Sequence, residues 1–295
     1  MSRLRFTVLG CGASGGVPRL GGPDETGQWG ACDPLEPKNR RRRCALLVER
    51  FGPGGVTRVL VDAGPDIRQQ LLDARVGWLD ATLFTHDHAD HIHGIDDLRL
   101  TVFVRRKLLD VWADEATMDT LRRRFGYVFE TPEGSAYPPI LTAHKITRDQ
   151  IEGRAPLVIE GAGGPIAARP FEVRHGRISS LGFRFGDVAY LPDVSGVPET
   201  TWPALQGLDL WIVDALRLDP HPSHAHLALT LEWIARAAPR RAVLTNMNIE
   251  LDYAATNAAT PEHVTPAHDG MMLYGRAEPA LSAEAPATRE VAPSG

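Results

Sequence analysis

Four histidines fall within eight positions of the segment Thr85-His86-Asp87-His88-Ala89-Asp90-His91-Ile92-His93-Gly94. With 11 histidines in 295 residues, chance would place about 0.3 in such a window. That density argues against a merely solvated polar turn. His86 and His88 stand two apart, so at an extended strand end their side chains face the same way. Asp90 and His91 then begin a turn into the next element and can face a neighbouring point. Two imidazoles at one point, with a carboxylate and an imidazole at the next, is a layout for two divalent cations. Imidazole and carboxylate donors without thiolate suit zinc, manganese or iron(II) and do not choose among them.

The elements that must carry this cluster are readable in outline. Leu79–Phe84 is an apolar strand that delivers the chain to it. Upstream, Leu4–Gly10 reads as a strand running into the glycine loop Gly10–Gly16. Glycine loops can show backbone N–H groups to an anion; they are also common turns. Cys44–Phe51 and Thr57–Asp62 are apolar runs split by Gly52-Pro53-Gly54-Gly55, a hairpin signal. Pro65–Ala74, Ile95–Leu109, Glu115–Phe125 and Leu227–Ala238 carry helical spacing. Phe171–His175, Leu181–Phe185, Val188–Leu191, Leu208–Val213 and Ala242–Thr245 read as strands. Early strands come as hairpins and later ones alternate with helices, an order that two mixed sheets covered by helices would satisfy. No fixed-period repeat is visible.

The bulk numbers bound the class. Hydrophobic residues make up 43% and charged residues 23%, as in an ordinary soluble domain. The net charge of -5 argues against a nucleic-acid partner, which usually meets a basic domain. The three cysteines, Cys11, Cys32 and Cys44, form no C-x-x-C pair. Their odd number argues against a disulfide framework. No signal-peptide pattern and no apolar run of about 20 residues is present, so a cytoplasmic protein without a membrane span is expected. The segment Glu278–Gly295 is rich in Ala, Pro, Glu and Ser and reads as disordered.

The motif H-x-H-x-D-H after an apolar strand resembles the signature of the metallo-β-lactamase superfamily. Further segments are similar to the same family: Val61-Asp62-Ala63-Gly64, Val173-Arg174-His175-Gly176, Tyr190-Leu191-Pro192-Asp193 and Ser223-His224-Ala225-His226. The start Gly10-Cys11-Gly12-Ala13-Ser14-Gly15-Gly16-Val17-Pro18 resembles the phosphoribosyl cyclic phosphodiesterase (PhnP-like) branch. The tRNA 3′-processing nucleases look like cousins. So does the protein of pyrroloquinoline quinone biosynthesis, which shares a stretch like Pro65-Asp66-Ile67-Arg68.

The resemblance implies an α/β fold, the αββα sandwich of two mixed sheets, over residues 1–276, with 277–295 as a tail. It implies metal ligands His86, His88, Asp90, His91, His175 and Asp193, the last as a bridge. Asp62 would orient a ligand without touching metal, Asp90 would also serve catalysis, and His224 would contact the phosphate or protonate the leaving group. Two departures stand out. The phosphonate-pathway relatives carry clustered cysteines for a structural zinc; here the loop keeps only Cys32, so that zinc is not expected. The family's last ligand is a histidine in a Leu-Thr-His setting, whereas this chain has Leu244-Thr245-Asn246. Asn246 then takes the ligand position with a weaker donor, or Asn248 or His268 substitutes, and the second of two metal ions (zinc or manganese, with iron allowed) binds less tightly.

The function these expectations add up to is metal-dependent hydrolysis of a small phosphodiester, cyclic ones included, by an activated hydroxide. A homodimer is compatible. The rivals are a tRNA 3′-processing-like nuclease, a thioester or lactone hydrolase of the same fold, and a metal-binding protein without turnover. For the run Lys38-Asn39-Arg40-Arg41-Arg42-Arg43, a solvated loop and a phosphate-binding role stand even.

Overall fold

In the computed structural model, residues 3–277 are described, so the segment Glu278–Gly295 lies outside them. Strands β1 (Arg3–Gly10), β2 (Ala45–Gly52), β3 (Gly55–Val61), β4 (Ala81–Leu83), β5 (Leu109–Ala113) and β6 (Leu141–Lys145) come first in the chain. They are followed by β7 (Leu157–Ile159), β8 (Ile166–His175), β9 (Ile178–Phe185), β10 (Val188–Leu191), β11 (Leu210–Asp214), β12 (Arg241–Thr245), β13 (Val264–Pro266) and β14 (Met271–Arg276). The strands build two seven-stranded sheets, in the orders β14-β1-β2-β3-β4-β5-β6 and β7-β8-β9-β10-β11-β12-β13. Each sheet starts with three antiparallel pairings and ends with three parallel ones. The two halves of the molecule therefore repeat one topology that leaves no trace as a sequence period.

Alternation along the strands sorts side chains between layers. Leu46 and Val48 on β2 point to the core between the sheets, which also holds Phe6, Val61, Phe183, Tyr190 and Trp211. Leu47 on β2 and Leu60 on β3 point the other way, onto a second core with Ile67, Phe84, Met118 and Leu121. Helices α1 (Ile67–Asp73), α2 (Ala89–Ile92), α3 (Arg99–Arg105) and α4 (Glu115–Phe125) belong to the first half. They are followed by α5 (Arg148–Ile151), α6 (Leu227–Ala237) and α7 (Tyr253–Ala259). The result is the expected αββα sandwich of two mixed sheets with flanking helices. Each fully buried Phe or Leu of the central core contributes about 1.5–3 kcal/mol.

Helix ends follow local chemistry. The Asp114 side chain accepts from Thr117 N at 2.8 Å and caps α4, whose last turn carries Arg122, Arg123 and Arg124; both complement the helix dipole. The helix expected over Ile95–Leu109 is broken. Ile95–Leu98 is a 3-10 turn, α3 follows, and Arg106 stops it in the left-handed region at φ 53°. Leu109 then opens β5, a central strand held on both sides by β4 and β6. Sheet pairing outweighs helical spacing there. Among the described residues, no helix is long and apolar enough to cross a membrane.

The parallel strands β3 and β4 of one sheet end at the cluster, as do β10, β11 and β12 of the other. The residues just past their C-terminal ends form the site described next.

Candidate metal centre

Asp62 follows β3 directly and adopts φ 66°, a left-handed conformation that Asp tolerates better than most residues. The bend aims its carboxylate under the histidine turn. Oδ1 accepts from Thr85 N at 2.8 Å; Oδ2 accepts from Thr85 Oγ1 at 2.9 Å and from His91 Nδ1 at 2.8 Å. Gly64 lets the two loops touch: a Cβ there would lie 2.0 Å from the Asp90 carbonyl oxygen. This close backbone approach is the physical content of the Asp-x-Gly pattern. The short helix α2 then carries Asp90 and His91, with His88 at its N-cap.

The hydrogen bonds leave each key imidazole with one bare nitrogen aimed inward. His91 gives its Nδ1 hydrogen to Asp62. His86 gives its own to Thr85 Oγ1 at 2.9 Å, since that hydroxyl donates to Asp62. His175, at the end of β8, gives its own to the Ser223 carbonyl at 2.6 Å. The Nε2 atoms of His86 and His91 are buried without a hydrogen-bond partner. His175 Nε2 sits 3.1 Å from His88 Nδ1. Two nitrogen lone pairs that close need a proton or a cation between them.

Asp193, two residues past β10, faces both groups. Its Oδ2 is 3.7 Å from His86 Nε2 and 3.6 Å from His175 Nε2. Its Oδ1 is 3.2 Å from His91 Nε2, which lies 3.4 Å from Asp90 Oδ2. Ligand atoms of His86, His88, His175 and Asp193 all lie within 4.8 Å of one another. The electrostatics ask for positive charge. Burial alone would lower the His91 pKa, yet Asp193, Asp62 and Asp90 hold it well above the usual imidazole value. Burial, with neighbouring histidines, pushes His86 well below that value and His175 down to about 4. Both are therefore neutral donors near pH 7.

The site also uses Asp214, which the motif reading missed. This buried carboxylate ends β11. Its Oδ2 accepts from His224 Nδ1 at 3.1 Å and from Val194 N at 3.1 Å. The signal was available: Leu210-Trp211-Ile212-Val213-Asp214 is an apolar strand closing on Asp, like Val59-Leu60-Val61-Asp62. Burial would lower the His224 pKa, but the Asp214 hydrogen bond and the charges of Asp214 and Asp193 raise it to about 9.

Comparison with known proteins agrees with this geometry. The family described as "Beta-lactamase superfamily domain" matches residues 57–247, which include every residue of the cluster. The chain belongs to the metallo-β-lactamase superfamily. Within that superfamily, a crystal structure titled a new diphosphatase from the PhnP family is 32% identical, with a TM-score of 0.79; the match covers 93% of this chain and 98% of that one. An octanoyltransferase of Porphyromonas gingivalis is 30% identical over 91% of this chain and 51% of that protein, so the chain spans about half its length. A coenzyme PQQ synthesis protein B of a Methylobacterium species is 27% identical over 92% of this chain and 99% of that one.

Against that superfamily background, the residues present fit divalent cations. The observations that carry the fit are the orphaned Nε2 atoms of His86 and His91 and the two-sided Asp193 carboxylate. Asn246, the expected last ligand, does reach the cluster. It follows β12 at φ 59°, and its Nδ2 lies 3.3 Å from Asp193 Oδ1 and 3.2 Å from Asp214 Oδ1. The same nitrogen lies 3.1 Å from His224 Nδ1, so the amide is shared between two carboxylates that accept and an imidazole nitrogen that donates to Asp214. The suggested substitutes have other partners, and Asn248 lines the cavity beside the cluster. The Asn248 amide pairs with Glu250, and His268 Nδ1 meets the Asp269 carbonyl.

The remaining polar signals resolve as structure. His93 packs edge-on against Phe125, and His144 stacks on Trp112 and pairs with Asp110. The basic run is consumed by the fold: Arg43 pairs with Asp66, Arg42 with Asp73 and Asp269, and Arg41 is buried. The backbone N–H groups of Cys11, Gly12, Ala13 and Gly16 are engaged within the protein.

Proposed function

We propose that this chain is a metal-dependent hydrolase that cleaves a phosphodiester or diphosphate bond in a small molecule. One observation carries the reading: His224, held from behind by the buried Asp214, borders the same cavity of about 380 Å³ as His88, Asp90 and Asp193. A cavity of that size takes a small ligand. The similarity to a PhnP-family diphosphatase supports phosphoryl chemistry over thioester or lactone hydrolysis.

His86, His88, His175 and Asp193 would hold one divalent ion, and Asp90, His91 and Asp193 a second. Ions held there supply water activation and charge neutralisation at the phosphoryl oxygens. The chain's own groups do the rest. Asp90 accepts a hydrogen bond from the attacking water and orients it. Asp214 holds His224 by Nδ1 and leaves Nε2 to protonate the departing oxygen.

Leaving-group dependence tests this. His224→Ala should lower kcat by about 10²–10⁴ for an alkyl or sugar leaving group, which needs an acid. With bis(p-nitrophenyl) phosphate, whose phenolate leaves unaided, the loss should stay below about tenfold. Equal losses on both substrates would remove the acid role. Metal-replete protein that cleaves no member of a diester and diphosphate panel would end the proposal.

A further inference from the structure

The cavity beside the metal centre is also lined by Arg19 and Arg217, which the proposed reaction leaves unused. Neither makes an ion pair with a carboxylate among the described residues. This sets them apart from Arg42 and Arg43 nearby, both neutralised by aspartates. The two come from different loops, each fixed. Arg19 is tied to Gln28 by paired backbone hydrogen bonds of 3.0 and 2.8 Å. Its stem lies over Gly15, where a Cβ would stand 3.1 Å from Arg19 Cγ and 3.2 Å from Nε. Glycine there makes the room. Arg217 follows β11, and its guanidinium gives Nε–H to the Asp219 carbonyl at 3.1 Å and an Nη2 hydrogen to the Pro220 carbonyl at 2.7 Å. A guanidinium has five donors, so more than half remain to meet a ligand. These carbonyls hold the fork without cancelling its charge.

Two guanidiniums without an ion-pair partner among the described residues, one held by carbonyls and one on a backbone tied to Gln28 with its stem over Gly15, share the cavity with Asp90 and Asp193 and suit an anion other than the one at the metal centre. We propose that Arg19 and Arg217 bind a second phosphoryl group of the substrate, so that the preferred substrate carries two linked phosphoryl groups. This rests on the phosphoryl-transfer reading above and narrows it. Planar donor forks match phosphate oxygens two at a time, and the geometry is lost with lysine.

The test compares binding of α,β-methylene-ADP with binding of AMP by calorimetry, using metal-replete protein. The two share a nucleoside and differ by one phosphoryl group. The wild type should bind the diphosphate analogue at least about tenfold more tightly. Arg19→Ala and Arg217→Ala should each cut that preference to about threefold or less, with AMP affinity, metal content and melting temperature unchanged. Should an alanine variant fail to fold, Arg19→Gln and Arg217→Lys must show the same loss. A wild type without the preference, variants that retain it, or variants that lose AMP to the same extent would each overturn the proposal. The two readings fail separately. Cleavage of bis(p-nitrophenyl) phosphate without an arginine-dependent preference sinks only the second anion site. An arginine-dependent preference with no cleavage of any diester or diphosphate sinks only the reaction.

Discussion

An imidazole that has given away its Nδ1 hydrogen keeps one lone pair, and the partner that takes the hydrogen decides where that lone pair points. Asp62 does this for His91 directly and for His86 through Thr85. Asp62→Ala should therefore lower metal affinity by about 10–100-fold without removing a ligand. Metal content after gel filtration measures it, and unchanged occupancy would refute the orienting role. Asn246 leads to a second expectation. With its amide shared among Asp193, Asp214 and His224, the Asp90–His91–Asp193 group has fewer donors than the His86–His88–His175–Asp193 group. Zinc added to metal-free protein should bind in two unequal steps, and two equally tight steps would count against this. The histidine turn was legible because its ligand-type residues crowd together in sequence. Asp214 carried only the weaker signal of an apolar strand closing on Asp, and its meaning is fixed once β11 lies beside β10 and His224 folds over it.

At the scale of elements, the loop that keeps only Cys32 is held by a buried arginine. Arg41 donates to the Asn248 carbonyl at 3.2 Å, the Leu251 carbonyl at 2.7 Å and Asn39 Oδ1 at 3.2 Å, with Cys32 Sγ at 4.0 Å. Val17, Cys32 and Ile249 pack alongside. This ties the N-terminal loop to the segment after β12, where Asn246 sits. Arg41→Met would leave the Leu251 carbonyl without its donor and take one donor each from the Asn248 carbonyl and Asn39 Oδ1, which keep Leu251 N and Tyr253 N, and the expected loss is about 1–3 kcal/mol in urea unfolding. A loss below about 1 kcal/mol would mean that water takes over those carbonyls. In sequence, Arg41 is one of four consecutive arginines, and nothing local separates the buried one from its neighbours. The hairpin β2–β3 was legible because Pro53-Gly54 closes it between apolar runs. The break in Ile95–Leu109 was not, because β5 is a strand by virtue of neighbours distant in sequence.

For the whole molecule, the repeated topology explains why the site stands where it does. Each half turns from antiparallel to parallel pairing at a strand followed by an aspartate, β3 before Asp62 and β10 before Asp193, and the halves bring those strand ends to one edge. The first half is completed from the far end of the chain. β14 pairs with β1 in the position that β7 holds beside β8. Its accessibility alternates with Leu273 and Gly275 inward, but one of those two inward residues is a glycine, so the sequence does not mark a strand before its partner is known. β14 nevertheless covers the free edge of β1, whose inner residues Leu4, Phe6 and Val8 belong to the central core. A chain ending at Gly270 should expose that edge and lose six register pairs. An uncovered strand edge invites pairing between molecules, so the shortened chain should be less stable by several kcal/mol and prone to association. Chains ending at Gly270 and at Ala277, compared by thermal melting and light scattering, decide this. If both melt together as monomers, β1 does not need β14, and the first half closes on its own.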